Sequence, residues 1–134
     1  MSKPTSRITD ELVLLVDDEP SILDATRSAL ADRGFNVRAV EGAEAALQVI
    51  RKLKPSIVVS DLVMPGTNGF ELLQKVRQFS ELGAIPFVFL TGVDDYFARK
   101  FGKEIGGAAY ITKPVDLDEL EHILKEKLGK SGTG

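Results

Sequence analysis

The sequence predicts an α/β domain: a parallel sheet with helices on both faces. Two patterns lead there. Short apolar runs rich in β-branched and aromatic residues alternate with segments of helical periodicity. Each run is followed by one such segment, and five β-then-α units need right-handed crossovers that cover both faces of one sheet. A third feature concerns use: polar residues stand just past the apolar runs, where sheets of this kind bind ligands.

The elements follow in order. Residues 1–10 are polar, with Pro4 and scattered Ser and Thr, and are expected to form a flexible leader. Residues 12–16 form the first strand, and Pro20 suits the first turn of a helix. Ile22, Thr26, Ala29 and Leu30 share the inward face of that helix, and Gly34 is expected to end it. A weaker strand follows at 37–40, then a stripe of Ala43, Ala46, Leu47 and Ile50 closed by Pro55. The third strand covers 57–59, and Phe70, Leu73, Val76 and Phe79 mark the third helix. The fourth strand covers 87–90. Phe97, Ala98, Phe101 and Ile105 mark the fourth helix, broken by Gly106 and Gly107. The fifth strand is expected at 108–111. Asp116 then caps the last helix, with Glu119 completing a capping box and Leu117, Leu120, Leu124 and Leu128 on its inner face. The first, third and fourth strands are apolar throughout, as strands buried on both faces should be. The domain is therefore expected to span 11–128, with 129–134 as a flexible tail or the start of a linker.

Composition excludes several classes. A chain of 134 residues fits one domain, and the absence of cysteine removes disulfides, thiolate metal sites and thiol catalysis. The longest apolar run is far too short to span a membrane, and residues 1–10 lack a signal-peptide core. A net charge of −3 argues against a dedicated nucleic-acid surface. The tail contains Gly129-Lys130-Ser131, but a phosphate loop needs a glycine where Leu124 stands and a place between strand and helix.

Chemistry gathers past the strands. The first ends in Asp17 and Asp18, the third in Asp61, the fourth in Thr91 and the fifth near Lys113. Singly, each is an ordinary polar loop residue. Jointly, they put carboxylates, a hydroxyl and an ammonium on one sheet edge. Two carboxylates ~4 Å apart repel by about 4 kcal/mol at an effective dielectric near 20. A fold holds such a pair if one is protonated or a cation joins them. Oxygen ligands without His or Cys point to magnesium, with manganese as a substitute. With magnesium the set is suited to phosphoryl transfer: Asp61 as nucleophile, Lys113 and metal against the equatorial oxygens, Thr91 as donor.

Four stretches, LLVDDEPSIL, VVSDLVMPGTNGFELL, FVFLTG and GGAAYITKP, together resemble the receiver domain of two-component response regulators. The resemblance runs from Glu11 to Leu128, with 30 positions from Asp61 to Thr91 and 22 from Thr91 to Lys113. It implies a flavodoxin-like doubly wound fold, strand order 2-1-3-4-5, with five helices on two faces. Asp61 is then expected to accept a phosphoryl group from a sensor histidine kinase or histidine phosphotransfer protein. Asp18 and Asp61 are expected to hold magnesium, with Asp17 acting through water and Val63 through its backbone carbonyl. Lys113 is expected to pair with the phosphoryl oxygens, its bond to Pro114 being cis. Thr91 and Tyr110 are the implied switch residues, coupling Asp61 to the surface of the fourth helix, fifth strand and fifth helix. Val63 and Val93 stand where the family tunes phosphoryl lifetime, and Gly92 where it often has Ala.

The implied protein is a cytoplasmic signalling phosphoacceptor that catalyses its own phosphorylation and dephosphorylation and is not otherwise an enzyme. Its expected partners are the kinase and a downstream protein or tethered output domain, with phosphorylation-dependent homodimerisation and without nucleic acid or membrane. Three rivals carry less. A magnesium-dependent aspartyl phosphatase needs a second acid close after its nucleophile, and Leu62 and Val63 offer none. A flavin carrier would be repelled by Asp17, Asp18 and Glu19. A receiver that docks without phosphorylation would not need the acidic set. Tyr96, Lys100 and Lys103 form either a solvated face or a contact patch, Ser21, Asp24, Ala25 and Ser28 likewise, and His122 is expected at the surface.

Overall fold

The computed structural model describes residues 10–92, 96–104 and 109–132. Val93, Ile105, Gly106, Gly107 and Ala108, and the side chains of Tyr96, Phe97 and Ala98, lie outside the described residues. The strands are β1 (Leu12–Asp17), β2 (Asn36–Glu41), β3 (Ile57–Asp61), β4 (Phe87–Thr91) and β5 (Ala109–Thr112). The helices are α1 (Pro20–Asp32), α2 (Ala43–Leu53), α3 (Gly69–Arg77), α4 (Tyr96–Glu104) and α5 (Leu117–Gly132), and a 3-10 turn at Ser80–Leu82 precedes β4. All strand pairs are parallel and the order is β2-β1-β3-β4-β5, as expected. β1 and β4 reach one residue further than the apolar runs and β3 reaches two, so Asp17, Asp61 and Thr91 are the last residues of β1, β3 and β4.

Side-chain alternation along these strands creates two cores. Leu14, Val16, Val58, Phe87 and Phe89 face α2 and α3, whereas Val13, Leu15, Ile57, Val59, Val88 and Leu90 face α1 and α5. Every residue of β3 and β4 is buried, because both faces are covered.

Local chemistry fixes the helix ends. Pro20 opens α1. Its close is a Schellman motif: Gly34 at φ 100° donates to the Ala31 carbonyl, and Phe35 donates to that of Leu30 and packs in the same core. α2 stops at Lys54, which takes a left-handed φ of 49°, since the residue before Pro55 is barred from continuing the helix. Asn68 and Glu71 make a reciprocal capping box on α3, at 2.9 Å each way, that the sequence reading passed over. Asp116 caps α5 as expected, its Oδ1 accepting from the Asp118 and Glu119 amides. The α5 helix continues past Leu128 to Gly132.

Three expected faces differ. In α1, Leu23 is buried instead of Ile22, which is 46% exposed, because Leu23 and Leu30 are two turns apart on the stripe facing the sheet. In α3, Leu72 joins Leu73 and Val76 in the core, and Phe70 is half-buried at its margin. In α4, Phe101 is 41% exposed and rests on Phe70 rather than entering the sheet core.

Arg33, at the end of α1, clasps α5. Its Nη1 lies 2.9 Å from Asp118 Oδ1 and 2.7 Å from Glu121 Oε1, and Lys125 Nζ sits 2.8 Å from Glu121 Oε2. Hydrogen bonds from Lys125 and then Arg33 hold the Glu121 carboxyl below its ordinary value of 4.5. A lowered carboxyl stabilises the fold above the unfolded chain's value, and that stability is lost as pH falls through the folded one. Glu121→Gln should therefore lower Tm slightly near neutral pH, with the difference closing in acid and in high salt. Thermal scans across pH test this, and an equal deficit at all pH values would contradict it.

Candidate functional site

The strand order reverses between β2-β1 and β3-β4-β5, so the crevice of such a sheet opens beyond the carboxyl ends of β1 and β3. Asp17 and Asp61 end those two strands and are both buried. With the half-buried Asp18, each offers a carboxylate oxygen within 4.8 Å of the others. Asp17 is locked in place: its Oδ1 accepts from the Asp18 amide at 2.7 Å and the Glu19 amide at 3.2 Å, and its carbonyl accepts from Gly42. Lys113 closes the far side, its Nζ 3.2 Å from Asp61 Oδ1 and 4.0 Å from Asp17 Oδ2. Its amide donates to the Thr91 carbonyl at 2.7 Å, which ties the loop after β5 to the end of β4. The Lys113–Pro114 bond is cis, as expected.

Thus Asp17, Asp18, Asp61, Thr91 and Lys113 share one edge. Val63 follows Asp61 in the loop with its side chain 72% exposed, while Met64 turns into the core. Tyr110 lies on β5, half-buried, with its ring 5.8 Å from that of Phe89. His122 is exposed on α5, as expected.

The electrostatics of the edge are strained. Burial first, and the neighbouring Asp61 charge second, push the Asp17 carboxyl above its ordinary value; bonds from the Glu19 and Asp18 amides and the charge of Lys113 oppose this without cancelling it. One ammonium does not neutralise three carboxylates. The donor set is all oxygen, so its chemistry fits magnesium and not a thiophilic metal.

Gly69 is a site residue that the sequence reading missed. A Cβ there would lie 2.8 Å from the Asp61 carbonyl oxygen and 3.2 Å from Leu62 Cα. Its amide also donates to the Leu62 carbonyl at 2.9 Å, so α3 starts hard against the peptide of Asp61. The N-cap signature of Asn68 and Glu71 around it was the available signal.

Two outcomes follow from this geometry. Gly69→Ala must shift backbone and should cost about 1–3 kcal/mol in urea unfolding; an unchanged midpoint would show that the contact yields freely. Asp17→Asn keeps the acceptor for both amides and removes a repelling charge. A raised carboxyl penalises the fold as pH climbs past the unfolded chain's value, and the penalty is complete above the folded one. The variant should melt a few degrees (~2–5 °C) higher than the parent in chelator at neutral pH. Magnesium should stabilise the parent more than the variant, because ligand binding adds stability only where the site survives. A lower Tm for Asp17→Asn in chelator would refute the repulsion.

Comparison with known proteins agrees with this geometry. The family profile described as the response regulator receiver domain matches residues 13–125. Response regulator Rre1 of a Synechocystis strain is 36% identical over 119 residues, covering 88% of this chain and 52% of that protein. Protein PilH of Pseudomonas aeruginosa is 34% identical over 108 residues, covering 81% of this chain and 89% of that one. The structure of chemotaxis protein CheY4 of Vibrio cholerae superposes with a TM-score of 0.82 at 29% identity, covering 88% of this chain and 98% of that chain. Other relatives are named as probable transcriptional regulators, and the chain spans about half the length of most of the curated relatives it matches. Receiver domains bind magnesium through an acidic pocket, and an Asp cluster of that kind stands at the edge of this sheet. With the profile covering most of its length and its strand order that of the fold, the chain belongs to the response regulator receiver domain family, the signal-receiving module of two-component systems.

Proposed function

We propose that Asp61 accepts a phosphoryl group from a phosphohistidine and that this modification is the signal the domain transmits. The contact that most supports the reading is Lys113 Nζ at 3.2 Å from Asp61 Oδ1, beside two further carboxylates that could hold a cation. A carboxylate oxygen of Asp61 attacks phosphorus, the P–N bond breaks as the P–O bond forms, and the departing imidazole keeps the electron pair and takes a proton from solvent. The product is an acyl phosphate on Asp61. Asp61 needs no general base, because it reacts as the anion.

The other residues serve this step. Asp17, Asp18, Asp61 and the Val63 carbonyl would hold magnesium, which when bound offsets charge on the phosphoryl oxygens. Lys113 leaves its pairing with the carboxylate to neutralise a phosphoryl oxygen. The Thr91 hydroxyl donates to another. Its movement frees space beside Tyr110, and the surface of α4, β5 and α5 shifts between two populations. Such a domain acts on its own aspartate and turns over no external substrate. The reading sets it in the cytoplasm between a histidine kinase or phosphotransfer protein and a downstream protein, tethered output domain or second copy. No described helix is long and apolar enough to cross a membrane. The expectation of no direct nucleic-acid contact concerns this stretch alone, since several longer relatives bear the name of transcriptional regulators.

Lifetime follows from Val63 and Val93. Neither side chain has a polar atom to orient an attacking water, so hydrolysis of the acyl phosphate is slow and an external phosphatase or back-transfer sets its duration. The test is intact mass after incubation with a small phosphodonor, with and without magnesium, for the parent and Asp61→Asn. The parent should gain a single phosphoryl group only with metal, the variant none, and the adduct should outlast seconds. Labelling of Asp61→Asn, or labelling that ignores magnesium, overturns the site; a half-life of seconds overturns the role of the valines.

A further inference from the structure

We infer that Phe70 is a positioning residue that couples the phosphorylation state of Asp61 to α4, by a route through α3 in addition to Thr91 and Tyr110. The inference rests on the phosphoacceptor reading above. Phe70 is the second residue of α3 and sits half-buried at the margin of the core. Its ring meets three others on three different elements. The centroid lies 5.0 Å from Phe89 of β4 at 75°, 5.0 Å from Phe101 of α4 at 72°, and 6.2 Å from Tyr110 of β5 at 37°. The first two are edge-to-face contacts, whose energy depends on ring orientation as well as on separation.

Phe70 is tied to the site at one end and free to transmit at the other. Gly69, immediately before it, is pressed onto the Asp61 carbonyl and bonded to Leu62, so the backbone of Phe70 follows any shift of the peptide after Asp61. Phe89 stands two residues before Thr91 on β4, and Tyr110 is the ring held by Phe89 on one side and by the Arg99 guanidinium, 5.4 Å from its centroid, on another. Arg99 and Phe101 both belong to α4, whose described side chains Lys100, Lys103 and Glu104 are exposed. Phe101 is itself 41% exposed, so its contact with Phe70 is a shallow apolar attachment of α4. An attachment of that kind is readily repopulated when two of the three rings around Phe70 move.

The experiment separates coupling from folding and from chemistry. Parent, Phe70→Leu and Phe101→Leu are treated with a small phosphodonor and magnesium, and two quantities are read: the rate of phosphoryl uptake by intact mass, and amide hydrogen exchange across 96–104 before and after uptake. Leucine keeps apolar volume and removes ring orientation. Both variants should take up the phosphoryl group at a rate within about twofold of the parent, while the phosphorylation-dependent change in α4 exchange shrinks about threefold or more. Phe79→Leu, on an aromatic that stacks under Arg51 beyond the far end of α3, should leave both quantities unchanged. Full retention of the α4 response in Phe70→Leu overturns the inference, as does a labelled parent whose α4 does not respond. If Phe70→Leu does not fold, Phe101→Leu decides by the same criterion, since its partly exposed ring contributes less to the core. A parent that takes up no phosphoryl group overturns the phosphoacceptor reading, and the coupling with it.

Discussion

Three carboxylates held within 4.8 Å of one another at a buried sheet edge dominate this structure. Folding gains nothing from bringing Asp17 and Asp61 together: burial and mutual repulsion both push the Asp17 proton affinity up. The scaffold must therefore supply the energy and the rigidity. It does so with β1 and β3, whose side chains are covered on both faces, and with backbone amides that fix the Asp17 carboxylate in one rotamer. Lys113 relieves part of the repulsion, at 3.2 Å from Asp61 and 4.0 Å from Asp17. What remains is an edge that favours a divalent cation and any ligand carrying its own negative charge toward that cation.

The same edge explains why the loops around it are so constrained. Leu62 bonds to the Leu90 carbonyl, Lys113 to that of Thr91, and Gly42 to that of Asp17, so each strand end is pinned to its neighbour. Gly69 lets α3 start against the Asp61 peptide without a side chain between them. A site tied this closely to the surrounding backbone cannot change charge without neighbouring elements responding, which is how a local modification becomes a shift in populations. The aromatic rings of Phe70, Phe89, Phe101 and Tyr110 lie on the side facing α4, where the partly exposed Phe101 rests on Phe70.

Much of this was legible in the residues. Continuous apolar runs marked β1, β3 and β4 because strands covered on both faces have no polar side. Gly34, Pro55 and Asp116 punctuated the helices through backbone chemistry that acts within a few residues. The polar strand ends were visible as a set, and the structure brings Asp17, Asp18, Asp61, Thr91 and Lys113 to a common edge. The capping box of Asn68 and Glu71 was also there to be read.

Other features were out of reach for a physical reason. Whether Ile22 or Leu23 faces the sheet turns on a rotation of α1 of about 100°, the step between adjacent residues, which two neighbouring apolar side chains leave undetermined. Phe101 and Phe70 read as core residues because periodicity reports hydrophobicity, not which element lies opposite; only packing puts the two rings against each other at the surface. The clasp of Arg33 on Asp118 and Glu121 joins positions far apart in the chain, which no local pattern connects. By itself the sequence determined the class of fold, the order of its elements and the chemistry gathered at one edge, all properties of local pattern and residue type. The orientation of each helix, the 3.2 Å approach of Lys113 to Asp61 and the aromatic path to α4 were decided by tertiary structure, because each depends on which surfaces meet once the chain has closed.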